Sequence, residues 1–257
     1  MGGHAFCGAG RLASGQALIR KRLRTPYTCK MNQLVHFAKS KAAETDAAKE
    51  TGRTNDPART MAEILAVATH EFADKGLTGA RIDEIAAATR TSKRMIYYYF
   101  GSKDGLYLAV LEEAYRRMRE IEADLHLADL EPAKAIRRLT EFTWEYYIAH
   151  PEFITLLNSE NLHQAQHLRQ SARIREMNSP LIQTLGDILE RGRADGVFRG
   201  GIDPVQLYIS IASLSYFYLS NHHTLSAIFG RDLMVAKAHS ERLSHICDVV
   251  LGYVLRD

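Results

Sequence analysis

Four cations and three tyrosines crowd one short stretch of the sequence. Arg90, Lys93, Arg94 and Lys103 surround the consecutive Tyr97, Tyr98 and Tyr99, and no Asp or Glu falls between Thr89 and Lys103. Cationic side chains displace counterions from phosphates, phenolic hydroxyls donate to phosphate oxygens, and a guanidinium bonds guanine bidentately in the major groove. Ser92 stands where an N-cap belongs, so the segment opens a helix whose first turn offers free backbone N–H groups to a polyanion. A charge run by itself marks a solvated face. Here the hydroxyl-bearing aromatics beside the cations, and a short helix ahead across a three-residue turn, favour a helix-turn-helix that meets double-stranded DNA.

Other residues could do different chemistry. Glu160, His163 and His167 lie three and four apart, close enough to meet on one helix face as metal ligands, and His222-His223 forms a second pair. No fourth ligand is identifiable, and solvent-facing polar residues account for the same spacing, so no metal is assigned. Arg169, Arg173 and Arg175 cluster near Ser179-Pro180; one turned inward would favour an anionic ligand such as an aromatic carboxylate, whereas three facing water would say nothing. The cysteines Cys7, Cys29 and Cys247 are odd in number and widely separated, which fits no disulfide framework and suits a reducing cytoplasm. Glycine-rich phosphate loops and nucleophile elbows are absent, so an enzyme is disfavoured and no cofactor is implied.

The elements that must position these groups read as helices throughout. Asp56-Pro57 supplies a cap followed by proline, and Met61, Ile64, Leu65, Ala68 and Phe72 recur at helical spacing until Gly76. Ile82, Ile85 and Ala86 mark a short second helix. Ser92 caps a third with Ile96 and Phe100 on one face, and Ser102 opens a fourth running to about Leu125. A fifth spans Pro132 to His150, and Pro151 opens another. Ser179-Pro180 and Asp203-Pro204 repeat the cap-plus-proline signal, and a last helix covers roughly Leu233 to Leu255. Some nine helices without a strand candidate predict an all-α protein: an N-terminal three-helix helix-turn-helix domain followed by a larger helical domain.

Charge divides the chain. The formal charge is +3, yet the first 55 residues hold ten Lys or Arg against three Asp or Glu, so the remainder is acidic. Residues 1–55 lack periodicity and read as a disordered basic extension: an arm adding nonspecific DNA affinity, an upstream piece ahead of an alternative start at Met31, or, less favoured, a targeting peptide. Residues 56–103 form the DNA-binding domain and 104–257 the larger helical domain. Pro204 to Gly230 carries no charged residue but too many Ser, Asn and His for a membrane span. With the last helix it could pair across a two-fold axis as a four-helix homodimer interface; both helices filling the monomer's own core is the alternative.

The run TGARIDEIAAATRTSKRMIYYYFGSK resembles the TetR family of transcriptional regulators, matching its common pattern at Ile85, Ala86, Ser92, Tyr97, Tyr98, Tyr99, Phe100, Ser102 and Lys103. The resemblance implies a regulator, usually a repressor, that leaves a palindromic operator when a small-molecule effector binds. By it, Tyr97, Tyr98 and Lys103 contact phosphates, Tyr99 lies near the groove, and Ile96 with Phe100 anchors the recognition helix. Ser92, Lys93, Arg94 and Met95 open that helix, Arg94 being the candidate base reader or, alternatively, a plain phosphate clamp. Arg81 replaces a capping Thr, so the cap is lost or supplied by Thr78 while Arg81 itself could hold a phosphate; Arg90 replaces the turn glycine, which calls for a left-handed residue or a different turn. The resemblance also makes residues 104–257 a ligand-sensing and dimerisation domain and implies an effector cavity in it, for which Tyr115, Met118, Trp144, Tyr147, Phe153, Leu157, Asn161, Arg173 and Met177 are candidates. His150 to Leu162 with Asn178-Ser179-Pro180 resembles regulators of heteroaromatic acid breakdown. A metal-responsive regulator and a nonspecific architectural DNA-binding protein are the alternatives.

Overall fold

The computed structural model describes residues 56–256, and the expectations for residues 1–55 lie outside them. Ten α-helices and two single-turn 3-10 helices make up the described residues, with one isolated bridge between Phe198 and Leu255. The all-α expectation holds.

Helix α1 (Pro57–Gly79) starts as its sequence requires: the Asp56 carboxylate accepts the N–H groups of Ala58 and Arg59, and Pro57 takes the first turn. Ile64, Ala68 and Phe72 are buried at four-residue intervals, and Gly76 breaks the helical geometry at φ 66°. Helices α2 (Ile82–Ala88) and α3 (Lys93–Phe100) follow, and α4 (Lys103–Ala123) is capped by Ser102, whose Oγ accepts the Gly105 N–H at 3.0 Å. Then come α5 (Pro132–Ala149), α6 (Pro151–Leu162), α7 (Ala172–Ala194), α8 (Pro204–Ser220), α9 (His222–Phe229) and α10 (Ala236–Val254).

Two hydrophobic clusters organise these helices. One joins Ile64, Phe72, Ile85, Ile96, Leu106 and Leu111 with Leu156 from α6 and Ile174 from α7. The other gathers Met118, Trp144, Tyr147, Phe153, Leu185, Ile211 and Ile246, and Ala114 and Tyr115 pack against both. Helix α4 therefore belongs to both cores.

Three sequence expectations about elements are corrected. Ser179-Pro180 does not begin a helix: Ser171 caps α7, its Oγ accepting the Ile174 N–H at 3.2 Å, and Pro180 lies inside that helix. The missing proline N–H costs one intrahelical bond. The continuous buried face of Leu181, Leu185, Ile188 and Leu189 holds the helix together beyond it, and Asn178 and Ser179 donate to the preceding Ile174 and Arg175 carbonyls. The uncharged run divides into α8 and α9, because Asn221 leaves helical geometry and its amide donates to the Phe217 carbonyl at 2.9 Å. The last helix begins at Ala236 rather than near Leu233, whose carbonyl accepts the Tyr218 hydroxyl at 2.9 Å and whose N–H donates to Ser226.

No helix among the described residues is long and apolar enough to cross a membrane. Helices α8 and α10 are each buried on one face only. Val205, Ile209 and Phe217 on α8 and Val249 and Tyr253 on α10 stay exposed, which leaves an apolar stripe uncovered by the described residues except where the Arg199 guanidinium lies over the Tyr253 ring at 3.6 Å.

Candidate nucleic-acid interface

The turn between α2 and α3 decides where the cations point. Arg90 adopts the left-handed conformation at φ 51°, one of the two outcomes its place in the sequence allowed, at a cost near 1 kcal/mol relative to glycine. The chain then reverses through Thr91, whose N–H donates to the Ala86 carbonyl at 3.0 Å. Ser92 caps α3 as expected, its Oγ accepting the Met95 N–H at 3.2 Å. Ile96 is 0% exposed and fixes α3 to the small core, with Phe100 half-buried beside it. Everything on the opposite face is consequently outward: Lys93, Arg94, Tyr97 and Tyr98 are exposed, Tyr98 at 77%. Tyr99 and Met95 are half-buried, and the Tyr99 ring meets Tyr98 edge-on at 5.4 Å.

The cations differ in how far acids occupy them. Lys93 forms an ion pair with Asp83 on α2. Arg81 lies 3.8 Å from Asp83 and 4.0 Å from Glu84. Arg81 provides no side-chain cap for α2, and Thr78 does not replace it; Asp83 and Glu84 in the first turn complement the helix dipole instead. The Arg81 N–H is satisfied by the Glu71 carboxylate at 3.0 Å, and Lys75 shares that carboxylate at 2.9 Å. Among the described residues Arg94 has no acid partner. Lys103 donates to the Thr78 carbonyl at 3.2 Å, a neutral partner that leaves its charge available while tying α4 to the end of α1. At an exposed surface such ion pairs contribute little and exchange readily for phosphate.

The candidate effector residues do not form one site. Tyr115, Met118, Tyr147 and Phe153 come together: Phe153 stacks on Tyr147 with centroids 5.9 Å apart and meets Tyr115 edge-on at 5.3 Å. Trp144 faces elsewhere, against Tyr218 and His239 at 5.5 and 5.7 Å. Leu157 and Met177 are half-buried. Asn161 is exposed and donates to the Leu157 carbonyl of its own helix, and Arg173 is exposed and paired with Glu112 at 3.1 Å. Arg169 and Arg175 are exposed as well, so none of the three arginines turns inward.

Sequence reading missed the charges that are inside. Arg119 and Glu122 near the end of α4 are buried and joined at 2.6 Å, and Arg119 also reaches the Tyr208 hydroxyl of α8 at 3.0 Å. Their signal was an arginine four residues past Tyr115 on the inward stripe, masked by the neighbouring charges of half-buried Arg116 and exposed Arg117 and Glu120.

Of the histidine set, Glu160 and His167 bond one another at 3.0 Å, but His163 turns to the Ser159 carbonyl at 2.8 Å. Among the described residues no three metal-ligating side chains converge. Cavities at the surface of the described residues include an open one of about 500 Å³ between His222, His223 and Met234, and one of about 120 Å³ near Gly186 and Pro204. Neither touches the recognition helix.

Comparison with known proteins places both halves of this arrangement. Residues 64–110 match the family described as bacterial regulatory proteins, tetR family, and residues 132–250 match the tetracyclin repressor-like C-terminal domain. The chain is 43% identical over 204 residues to the HTH-type transcriptional repressor NicS of Pseudomonas putida, covering 79% of this chain and 96% of that protein. It is 35% identical over 138 residues to the repressor SCO4008 of Streptomyces coelicolor, covering 53% of this chain and 68% of the relative. Among solved structures, the regulator SCO4942 of Streptomyces coelicolor superposes with a TM-score of 0.59 at 24% identity, over 77% of this chain and 99% of that one. The regulator FadR of Bacillus subtilis, solved with stearoyl-CoA, gives 0.58 at 14% identity, over 74% and 97%. At these identities the structures speak for the fold alone.

Proposed function

Since the chain belongs to the tetR family of bacterial regulatory proteins, we propose that it is a cytoplasmic repressor whose homodimer sits on a palindromic operator and leaves it when a small molecule binds the larger domain. It is a DNA-binding transcriptional regulator, not an enzyme. The observation that carries the finer reading is the outward face of α3, where Arg94 has no acid partner among the described residues and stands beside the exposed Tyr97 and Tyr98 while Ile96 holds the helix behind them. In this reading Arg94 reads a base. Tyr97, Tyr98, Lys103 and Arg81 clamp phosphates, Lys93 exchanges Asp83 for one, and Tyr99 and Met95 border the groove. The stripe of Val205, Ile209, Phe217, Val249 and Tyr253 supports dimerisation through α8 and α10. Residues 56–103 are the DNA-reading part and 104–257 the sensing part, although Leu106 and Leu111 lend the first turns of α4 to the DNA-reading core.

Selection of genomic fragments on the purified protein, followed by anisotropy titrations on the recovered site, tests the proposal. The site should contain two half-sites about 34 to 36 Å apart or a multiple of that. Arg94→Ala should weaken this site by roughly 1 to 3 kcal/mol and relax preference at one position per half-site. Lys103→Ala should weaken every sequence alike and reduce the salt slope by about one unit. Equal losses for Arg94→Ala on operator and random DNA would remove its base-reading role. Equal affinity of the unaltered protein for both would make it an architectural protein instead.

A further inference from the structure

The most unusual group outside the DNA-reading surface is the ion pair at the end of α4. The side chains of Arg119 and Glu122 are 8% and 5% exposed, and Nη1 of the first meets Oε2 of the second at 2.6 Å. Arg119 Nη2 adds the Tyr208 hydroxyl at 3.0 Å and the Met118 sulfur at 3.3 Å. Neither side chain is satisfied. The Arg119 Nε–H and the Glu122 Oε1 are both buried with no hydrogen-bond partner among the described residues. Two such orphans on adjacent groups demand an explanation, because each buried unpaired polar atom opposes folding, and an isolated buried ion pair rarely stabilises a protein more than packed hydrocarbon would.

The surroundings suit a particular guest. Tyr115 on α4, Tyr146 and Tyr147 on α5 and Tyr208 on α8 are ionisable groups close enough to interact electrostatically with the pair, and burial raises the phenols of Tyr115, Tyr146 and Tyr147 so that they stay neutral hydroxyls. Phe153 and Met118 complete the aromatic, polarisable packing around the pair. One guanidinium therefore stands alone among apolar and neutral groups, opposed by one carboxylate.

Resting on the reading of the chain as an effector-released regulator, we infer that Arg119 anchors the effector, a small and largely apolar molecule carrying one carboxylate, which enters between α4, α5 and α8 in place of the Glu122 carboxylate. A bidentate carboxylate gives Arg119 the donors' full use that its present pairing withholds. A single negative charge balances it; a dianion would leave excess charge in a low-dielectric core. Glu122 supplies the release valve. Burial raises its carboxyl to about 7, against the opposing pull of Arg119, so at neutral pH it takes up a proton and yields the guanidinium without leaving a bare carboxylate behind.

The test uses the full-length protein. Benzoate, phenylacetate, 3-phenylpropionate and hexanoate are each titrated calorimetrically beside their carboxamides, with phosphate and sulfate as anion controls. At least one acid should bind saturably, at least tenfold tighter than its amide and than either inorganic anion. Arg119→Met should weaken that acid 100-fold or more. Tyr208→Phe, which keeps the packing, should weaken it several-fold and covers the case in which Arg119→Met fails to fold. With Glu122 near 7, affinity should fall about tenfold from pH 6 to pH 8, and Glu122→Gln should abolish that slope. Silence from all four acids, amides or inorganic anions binding as tightly as acids, or unchanged affinity in Tyr208→Phe and any folded Arg119→Met overturns the inference. Operator binding by the ligand-free protein is recorded separately. Its loss would sink the regulator reading while leaving the anion site standing.

Discussion

Replacing Gly105 by alanine should cripple operator binding although the residue carries no side chain and its N–H is already taken by the Ser102 hydroxyl. A Cβ at this position would lie 2.1 Å from the Phe100 carbonyl oxygen, well inside any tolerable contact. That oxygen is backbone at the end of α3, so no side chain can swing aside. Either the first turn of α4 withdraws or the end of the recognition helix does, by about 1 Å in either case, and Tyr97, Tyr98 and Lys103 shift with it. Overpacking of this kind costs about 1 to 3 kcal/mol. The expected result is a 10- to 100-fold loss of operator affinity by anisotropy and a fall of several degrees in the thermal midpoint. Gly79→Ala is the control, because its Cβ would meet only the Lys75 Cβ at 3.4 Å, an ordinary contact. Wild-type operator affinity in Gly105→Ala would mean that the close approach of α3 and α4 does not set the reading geometry.

Glu160→Leu should be the most destabilising single change among those considered. Glu160 is 1% exposed, accepts the backbone N–H groups of His167 and Leu168 at 3.2 and 3.1 Å, and meets the His167 ring at 3.0 Å. A leucine of similar bulk strands all three. The segment they close also holds Gln164 and Ala165 at φ 56° and 58°, a strained backbone that persists only while its surroundings enforce it. Losing a buried acceptor with this many donors costs about 3 to 5 kcal/mol, or roughly 10 °C in a domain of this size. Glu160→Gln, which retains one acceptor oxygen, should lose about half as much. The damage should reach DNA binding too, since the far nitrogen of His167 lies 3.2 Å from Asp104 in the first turn of α4. A melting temperature within a few degrees of wild type for Glu160→Leu would contradict this account. A zinc-induced rise in the unaltered protein would revive the metal reading.

What the sequence disclosed was whatever rests on neighbours within a few residues. Asp56-Pro57, Ser92, Ser102 and Asp203-Pro204 announced their helices because a cap bonds N–H groups only two or three positions ahead. Arg90, in the place of the turn glycine, left a left-handed residue and a different turn both open, and the structure takes the first. The inward side of α3 followed from the four-residue interval between Ile96 and Phe100. Pro180 misled because its local meaning, a helix start, is overridden by the buried face of α7 that continues past it. Arg119 and Glu122 escaped notice because their burial depends on Tyr208, which lies 89 residues away in the chain from Arg119. Equally, nothing local distinguishes Trp144, turned toward His239, from Tyr147, three residues on and turned toward Phe153.

Helix α4 runs unbroken from Lys103 to Ala123. At about 1.5 Å per residue, roughly 21 Å separate Gly105, against the end of α3, from Arg119. A rod of that length works as a lever: tilting it by about 5° around its Arg119 end would carry the other end through about 2 Å. Two mirrored levers in a dimer would alter a reach of 34 to 36 Å by up to about 4 Å, more than hydrogen bonds to base edges can follow.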